Sequence, residues 1–240
     1  MQHPNIVEFV VYGSYALFSD PITRVGGEKC SYQIPTYEAL KGVISSVYWK
    51  PTFIWYIDKV RIMNRIQTEV KGIRPVKYNG GNDLSYYTYL KDCCYQVSAH
   101  FEWNMNRPEL QNDRNENKHH EIAKRMIKRG GRRDVFLGTR ECQAYVEPCV
   151  FGDGVGAYDE INHLQFGTMY HGITYADEAY SDETQNMMTV NLWYPEMKKG
   201  IIHFPKPSEC PIHKPIHEMR MKKFDKDINF SGFNEFGEVN

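Results

Sequence analysis

A lysine and two adjacent histidines, Lys118, His119 and His120, stand immediately before a strongly basic stretch of the chain. A histidine titrates near neutrality and can donate or accept a proton, while a lysine ammonium stabilises negative charge without transferring one. Such groups suit the cleavage of an RNA strand by its own ribose 2′-hydroxyl, because the attack on phosphorus needs a proton acceptor, a proton donor and a cation. This chemistry requires no metal ion.

The segment that carries these residues is predicted to be a helix. Asn115 or Asn117 can cap its start, and Gly130 and Gly131 can end it behind a last turn that contains cations. Apolar residues recur in it at helical spacing and predict one buried face. The residues of that face are Ile122, Ala123, Met126 and Ile127.

Helical spacing separates the two histidines. His119 lies three residues before Ile122, so we expect it on the face that turns toward the body of the protein. His120 is in line with Lys124 and Lys128 on the solvated side and is expected to be an ordinary exposed histidine. Of the two, His119 is therefore the candidate for chemistry.

Two further side chains can complete the set. Lys118 lies beside the apolar face, where its ammonium can point along the edge of a groove, and Tyr48 falls near the end of an earlier predicted helix. A tyrosine with an ordinary pKa of about 10 is a poor base unless nearby cations lower that value, so orienting the 2′-hydroxyl is an equally good role. From the residues alone, a buried His119 bonded to a backbone carbonyl and a purely structural Tyr48 both stay open.

Positive charge is concentrated between residues 114 and 140. This segment holds nine Lys or Arg residues against three Asp or Glu, in a chain of 240 residues whose net charge is -1. Because few acidic partners accompany the cations, binding of a polyanion is favoured over a merely solvated helix face. The candidate RNA-binding residues of this segment are Lys124, Arg125, Lys128, Arg129, Arg132, Arg133 and Arg140.

Residues 79–92 are rich in tyrosine and glycine and are predicted to form a loop or hairpin insertion. Exposed aromatic rings there would offer stacking surfaces for unpaired RNA bases, and cations beside them would contact phosphate. The candidate stacking residues are Tyr86, Tyr87 and Tyr89, and the candidate phosphate contacts just before the insertion are Arg74 and Lys77.

The sequence predicts neither a cofactor nor a metal site. The six cysteines form no CxxC pair, so we expect free cysteines in a reducing cytoplasm. His213 and His217 have the spacing of a helical metal pair, but Pro215 removes the helix that this spacing requires. No apolar run approaches the roughly 20 residues that cross a bilayer, which predicts a cytoplasmic protein without a membrane partner.

The order of predicted elements indicates an α+β fold. Up to residue 147 the order is strand, helix, strands, helix, strand, which is typical of a ferredoxin-like (RRM-like) domain, here with an insertion before its second helix. From residue 148 to residue 240, short apolar runs separated by Gly, Pro, Asp and Asn predict a small antiparallel β-sheet domain. Its last residues, "DKDINFSGFNEFGEVN", are expected to be a loose acidic tail.

Several stretches of the chain together resemble a known family. The sequence is identified as a member of the Cas-five family of CRISPR-associated proteins in its subtype I-C (Dvulg) form, and the similarity runs from about residue 6 to about residue 207. The stretches that carry it are "VYGSYALFSDPITRVGGEKCSYQIPTYEALKGVISSVYWKP", "GIRPVKYNGGNDLSYYTYLKD", "HFEWNMNRPELQNDRNENKHHEIAKRMIKRGGRRDVFLGTRECQAYVEP" and "GIIHFPKP".

The resemblance implies a ferredoxin-like domain followed by a β-sheet domain, in a metal-independent endoribonuclease. Such an enzyme cuts CRISPR precursor RNA at the repeat hairpin and then keeps the 5′ handle of the guide RNA within the Cascade complex, beside the backbone and large subunits. The catalytic Tyr, Lys and His of the family match Tyr48, Lys118 and His119. The alternative is a non-catalytic RNA-binding scaffold, and the basic surface would also allow duplex DNA to bind.

Overall fold

The computed structural model describes residues 5–221, and the predicted acidic tail lies outside them. The described residues contain two α-helices and twelve strands, together with short 3-10 turns. In chain order the helices and strands are β1 (Val7–Ala16), α1 (Tyr37–Val47), β2 (Phe53–Ile62), β3 (Thr68–Ile73), β4 (Ser85–Trp103), α2 (Glu116–Lys128), β5 (Val135–Phe136), β6 (Gln143–Pro148), β7 (Leu164–Gln165), β8 (Met169–Thr174), β9 (Met187–Trp193), β10 (Glu196–Lys198), β11 (Ile201–His203) and β12 (Ile212–Glu218).

A mixed fold with antiparallel sheets is confirmed. The larger sheet of the described residues has the strand order β5-β6-β1-β4-β2-β11-β10-β7, and β3 pairs with β4 beside this path. At its centre β1 is antiparallel to β4, with Phe9 opposite Val97. α1 contacts β2 and β5, α2 contacts β1 and β6, and the two helices contact each other. The helices therefore cover the centre of the sheet.

Both helices begin directly after a residue whose side chain caps the first turn. The Thr36 side chain accepts a hydrogen bond from the Ala39 N–H at 3.2 Å, and the Asn115 side chain accepts one from the Lys118 N–H at 3.0 Å. These caps satisfy backbone donors that the first helical turn leaves unpaired. Of the alternatives for α2, Asn115 is therefore the cap, and Gly130 follows the helix with a φ of 83°.

The tyrosine-rich segment differs from its prediction. β3 and β4 do form a hairpin, with Gly72 opposite Tyr86, but residues 85–92 belong to β4 and are not part of a loop. The run contains three tyrosines and one threonine, which favour extended backbone, and Gly80 and Gly81 take the positive φ angles of the turn before it. β4 is therefore a single strand of 19 residues.

The strands after residue 148 fall into two groups. β11 pairs with β2, so it extends the main sheet together with β10 and β7, while β8, β9 and β12 form a separate three-stranded antiparallel sheet. The domain boundary at residue 148 stays a prediction. His213 and His217 lie in β12, in agreement with the expectation that Pro215 excludes a helix there. Within residues 5–221, no helix is long and apolar enough to cross a membrane.

Candidate active site

Tyr48 and His119 meet where the two helices contact each other. Tyr48 is the C-terminal capping residue of α1, and His119 lies in the first turn of α2. The Tyr48 hydroxyl oxygen lies 2.7 Å from His119 Nδ1, although 71 residues separate the two in sequence. The structure therefore brings these two candidates into direct contact.

His119 is completely buried, as its helix face predicts. Its second ring nitrogen, Nε2, lies 2.7 Å from the backbone carbonyl oxygen of Asp113. A carbonyl can only accept a hydrogen bond, so Nε2 carries the proton, and in the neutral ring Nδ1 then accepts from the Tyr48 O–H. One nitrogen of the ring is thus bonded to a backbone carbonyl, the structural role that the sequence left open, and the other is bonded to Tyr48.

Aromatic side chains surround the His119 ring. Its centroid lies 5.3 Å from that of Phe53, 6.3 Å from that of Phe101 and 5.8 Å from that of Trp103, all in edge-to-face orientations. These rings exclude water from the imidazole, and in such a low-dielectric setting each hydrogen bond to it is electrostatically stronger than in water. The ring is therefore held in one tautomer and one orientation.

Asp113 connects Lys118 to the pair, and the sequence analysis did not identify it. This residue ends the 3-10 helix Pro108–Asp113, and its Oδ1 lies 2.5 Å from Lys118 Nζ while its Oδ2 accepts a hydrogen bond from Thr52 Oγ1 at 2.8 Å. Burial opposes ionisation of Asp113, but the hydrogen bonds from Lys118 and Thr52 outweigh it and lower the pKa of this carboxyl. Asp113 is therefore an anion that fixes the lysine at the helix start.

The environment of Tyr48 raises the pKa of its hydroxyl, whereas the sequence suggested that nearby cations could lower it. Burial raises the pKa of Tyr48 to about 12, the Asp113 carboxylate adds to the rise, and Arg132 opposes it. The cations therefore do not make Tyr48 a phenolate near neutral pH. An intact O–H that donates to His119 is the form present at physiological pH.

Lys118 presents a cation at the rim of the site. Its side chain is 50% exposed, in contrast to 0% for the side chain of His119. An exposed ammonium beside a buried Tyr–His pair is placed to meet a phosphate that approaches from solvent. The three candidates thus divide into one solvent-facing charge and two buried proton-carrying groups.

All nine predicted RNA-binding cations are exposed. Four of them lie on α2 or at its C-terminal cap, and two more follow in a turn whose backbone is joined to α1, because the Arg132 and Arg133 N–H groups donate to the Val47 and Ser46 carbonyls at 3.2 Å each. The four on α2 are Lys124, Arg125, Lys128 and Arg129. Of the others, Arg140 lies between β5 and β6, and Arg74 and Lys77 lie between β3 and β4.

Two of the expectations about exposure are wrong. His120 is half-buried, because its Nε2 lies 3.0 Å from the carbonyl oxygen of Ile6, the residue before β1. Tyr89 is buried in the core, where its ring packs edge-to-face against that of Tyr15 at 6.1 Å between centroids. Tyr86 is exposed and Tyr87 is half-buried, so these two remain available for stacking.

The six cysteines are free, as the sequence predicts. In the described part of the chain, residues 5–221, no group of three or more His, Cys, Asp or Glu side chains is placed to hold a metal ion.

Comparison with known proteins gives consistent matches over most of the chain. A family model described as a CRISPR-associated protein (Cas_Cas5), the Cas5d group, matches residues 6–205. A CRISPR pre-crRNA endoribonuclease Cas5d of Mannheimia succiniciproducens is 25% identical over 229 residues, which cover 84% of this chain and 95% of the relative. A protein of the same name from Thermus thermophilus is 30% identical over 148 residues, or 58% of this chain and 62% of the relative.

Two solved structures are similar over nearly their whole length. The crystal structure of a CRISPR-associated protein aligns with a TM-score of 0.73 and 35% sequence identity, covering 87% of this chain and 96% of that protein. The structure of a functionally uncharacterized protein, SMU1763c from Streptococcus mutans, aligns with a TM-score of 0.72 and the same identity and coverage.

Proposed function

The chain belongs to the Cas5d group of the CRISPR-associated Cas5 family, and on this premise we propose that it is an endoribonuclease that cleaves CRISPR precursor RNA at the repeat hairpin. Two curated relatives carry the name of a pre-crRNA endoribonuclease. The observation that carries the proposal for this chain is the hydrogen bond between the Tyr48 hydroxyl and His119 Nδ1, with Lys118 at the rim.

The proposed reaction is attack of the ribose 2′-hydroxyl on the adjacent phosphate. Tyr48 accepts the 2′-hydroxyl proton while it passes its own proton to His119 Nδ1, so no phenolate has to form. The imidazolium that results is stabilised by the Asp113 carbonyl, 2.7 Å from Nε2, and by the Asp113 carboxylate. The new 2′-oxygen bond to phosphorus forms as the 5′-oxygen leaves and takes a proton from solvent.

Lys118 supplies the positive charge that the transition state requires. The phosphorane carries one more negative charge than the ground-state phosphate, and an ammonium aimed at it lowers the barrier without exchanging a proton. In the free protein this ammonium is paired with Asp113, which holds it at the helix start until a phosphate arrives. The products expected of this route are a 2′,3′-cyclic phosphate and a 5′-hydroxyl, with no metal ion taking part.

The protein scaffold is proposed to be a ferredoxin-like (RRM-like) unit over residues 1–147 with a small β-sheet domain after it. Support comes from the central strand order β6-β1-β4-β2, with α1 between β1 and β2 and α2 between β4 and β6. In this arrangement the ends of both connecting helices lie on one side of the sheet, which places Tyr48 beside His119.

We further infer the partners from the family. After cleavage the protein is proposed to hold the 5′ handle of the guide RNA in the cytoplasm as a subunit of the Cascade complex, beside the backbone and large subunits. Exposed cations of α2 and of the turn at Arg132 and Arg133 would bind the RNA backbone, and the same surface would accept duplex DNA. The specific subunits rest on the resemblance of the sequence to subtype I-C.

One observation favours the second candidate function, a non-catalytic RNA-binding scaffold. His119 is fully buried, and both of its ring nitrogens already have partners in the protein. A histidine with only a structural role would look the same. The proton relay through Tyr48 accounts for this burial without requiring His119 to contact RNA.

Labelled repeat RNA incubated with the wild-type protein in excess EDTA separates the two functions. We expect cleavage at one position, because the proposed reaction uses side chains alone. Binding is measured in parallel by mobility shift, and an RNA of equal composition whose hairpin is scrambled serves as the control. RNA that is bound but left intact in EDTA would support the scaffold, and cleavage restored by Mg²⁺ would contradict the metal-independent route.

A further inference from the structure

A cavity of about 350 Å³ opens beside the candidate active site. It lies between α1, the turn that follows α2 and the 3-10 segment Ala176–Glu178 near β8. Its volume is within the range of about 300–1,000 Å³ that is usual for ligand pockets. Six of the residues that line it are Glu38, Ser45, Trp49, Arg132, Arg133 and Tyr175.

Trp49 gives this cavity an exposed aromatic wall. The residue follows Tyr48 directly in sequence, and 48% of its surface is accessible, whereas tryptophan is usually well buried. Trp55, six residues later, is the buried counterpart, with 1% exposed and its Nε1–H donated to the Tyr48 carbonyl. Core packing therefore accounts for Trp55 and leaves the Trp49 indole without a structural task that would require its exposure.

Arg132 and Arg133 place two cations on the same cavity. Their backbone N–H groups donate to carbonyls at the end of α1, so the turn is fixed against the helix without using either guanidinium. Gly131, at a φ of 108°, permits this approach, because a Cβ there would meet the Arg133 carbonyl oxygen at 3.1 Å. The charge of Arg132 also opposes the rise in the pKa of Tyr48 that burial causes.

The interior of the cavity is polar as well as aromatic. Lys41 forms an ion pair with Glu178 inside it, and the half-buried Glu38 carboxylate accepts a hydrogen bond from the Ile173 N–H at 3.3 Å. A flat aromatic wall, two guanidinium groups at the mouth and polar groups within match a planar heterocycle that carries a phosphate. They do not match an apolar ligand.

We propose that this cavity binds one unpaired nucleotide of the RNA substrate next to the cleaved phosphate, with its base stacked on Trp49 and its phosphate held by Arg132 and Arg133. The inference rests on the proposed function and deepens it, because it assigns a recognition site to the same RNA. Stacking on an aromatic ring is the usual way in which proteins hold an unpaired base, and it tolerates different bases.

The test uses repeat RNA with a 2′-deoxy group at the cut nucleotide and one 2-aminopurine, placed in turn at each unpaired position near the cut. In complex with the wild-type protein, one position is expected to show emission quenched by stacking on the indole. Trp49→Ala should remove that quenching and weaken RNA binding by about tenfold, while Trp49→Phe should retain most of both effects. Tyr194→Ala, which removes another exposed aromatic ring immediately after β9, should behave like the wild type.

A second variant shows whether the loss of quenching in Trp49→Ala could come from misfolding of that variant. Gly42 of α1 also lines the cavity, and a Cβ there would meet no atom within 4 Å, so Gly42→Leu is expected to extend its side chain into the cavity while introducing a better helix former. This variant should lose the quenching although Trp49 is intact.

Unchanged emission and affinity in both Trp49→Ala and Gly42→Leu would overturn the inference, and would leave a protein segment of another subunit as the occupant to seek. Cleavage of unmodified RNA by the wild type is measured alongside. If that cleavage is present, such a result counts against the nucleotide site alone. If the wild type neither cleaves nor binds the repeat, the proposed function has failed and the inference fails with it.

Discussion

His119→Ala is expected to lower RNA cleavage by about 10²- to 10⁴-fold while the affinity for repeat RNA stays within a few fold of the wild type. The variant removes the group that is proposed to take the proton from Tyr48, but it leaves the exposed cations of α2 that are proposed to bind the RNA backbone. Single-turnover cleavage rates and mobility-shift affinities at one salt concentration measure the two effects separately. The salt must be held fixed because phosphate contacts release counterions.

The matched control is the neighbouring histidine. His120→Ala removes a hydrogen bond to the Ile6 carbonyl, which costs on the order of 1 kcal/mol of stability, but it should leave the cleavage rate nearly unchanged. His119→Gln is a second control, since its amide can still donate to the Asp113 carbonyl but cannot take up a proton. Equal loss of cleavage in the His119 and His120 variants would show that the assignment from the helix face is wrong, and a fully active His119→Gln would show that no proton transfer occurs there.

Tyr48→Phe is expected to reduce the cleavage rate by about 10²-fold or more, with little change in stability or RNA affinity. The variant keeps the ring that packs on Phe53 and removes only the hydroxyl that bonds to His119 and is proposed to take the proton from the RNA. Because the pKa of Tyr48 is raised to about 12, only about one molecule in 10⁵ carries the phenolate at pH 7. The cleavage rate should therefore depend on the intact Tyr48 hydroxyl and not on its phenolate form.

The pH dependence of cleavage checks the role of this hydroxyl. We expect any change in the cleavage rate between pH 8 and pH 10 to be the same in the wild type and in Tyr48→Phe. The reason is that the phenol of Tyr48 stays protonated in that range. Tyr56→Phe is the control, since burial likewise raises the pKa of Tyr56 to about 12 and its ring stacks on His100 away from the Tyr48–His119 pair. A rise in rate in that range that is lost with the Tyr48 hydroxyl would mean that Tyr48 acts as a free base.

The features that sequence alone predicts correctly are those set by neighbouring residues. The spacing of α2 places His119 on the buried face, and Asn115 caps the helix. Both depend on the period of one helix and need no knowledge of the rest of the chain. The exposure of the basic residues follows for the same reason. The contact between Tyr48 and His119 joins two residues 71 positions apart, so spacing named both as candidates but could not reveal their contact, and the family resemblance supported the pair.

The features that sequence reasoning missed depend on longer-range structure. Asp113 reaches Lys118 and His119 because a 3-10 turn reverses the chain before α2, and a lone aspartate in a polar stretch carries no signal of this. Tyr89 is buried because β4 continues through the predicted insertion and pairs with β3, which fixes the face that each tyrosine takes. His120 is half-buried because Ile6, from the other end of the domain, lies against it.

The central claim is that the ribose 2′-hydroxyl is the nucleophile, and a single atom of the RNA tests it. Repeat RNA with a 2′-deoxy group only at the nucleotide before the cut is compared with unmodified RNA, at matched binding and in EDTA. We predict that the unmodified RNA is cut to a 2′,3′-cyclic phosphate and a 5′-hydroxyl, whereas the substituted RNA is bound equally well and stays intact. Cleavage of the substituted RNA at the same position would contradict the account.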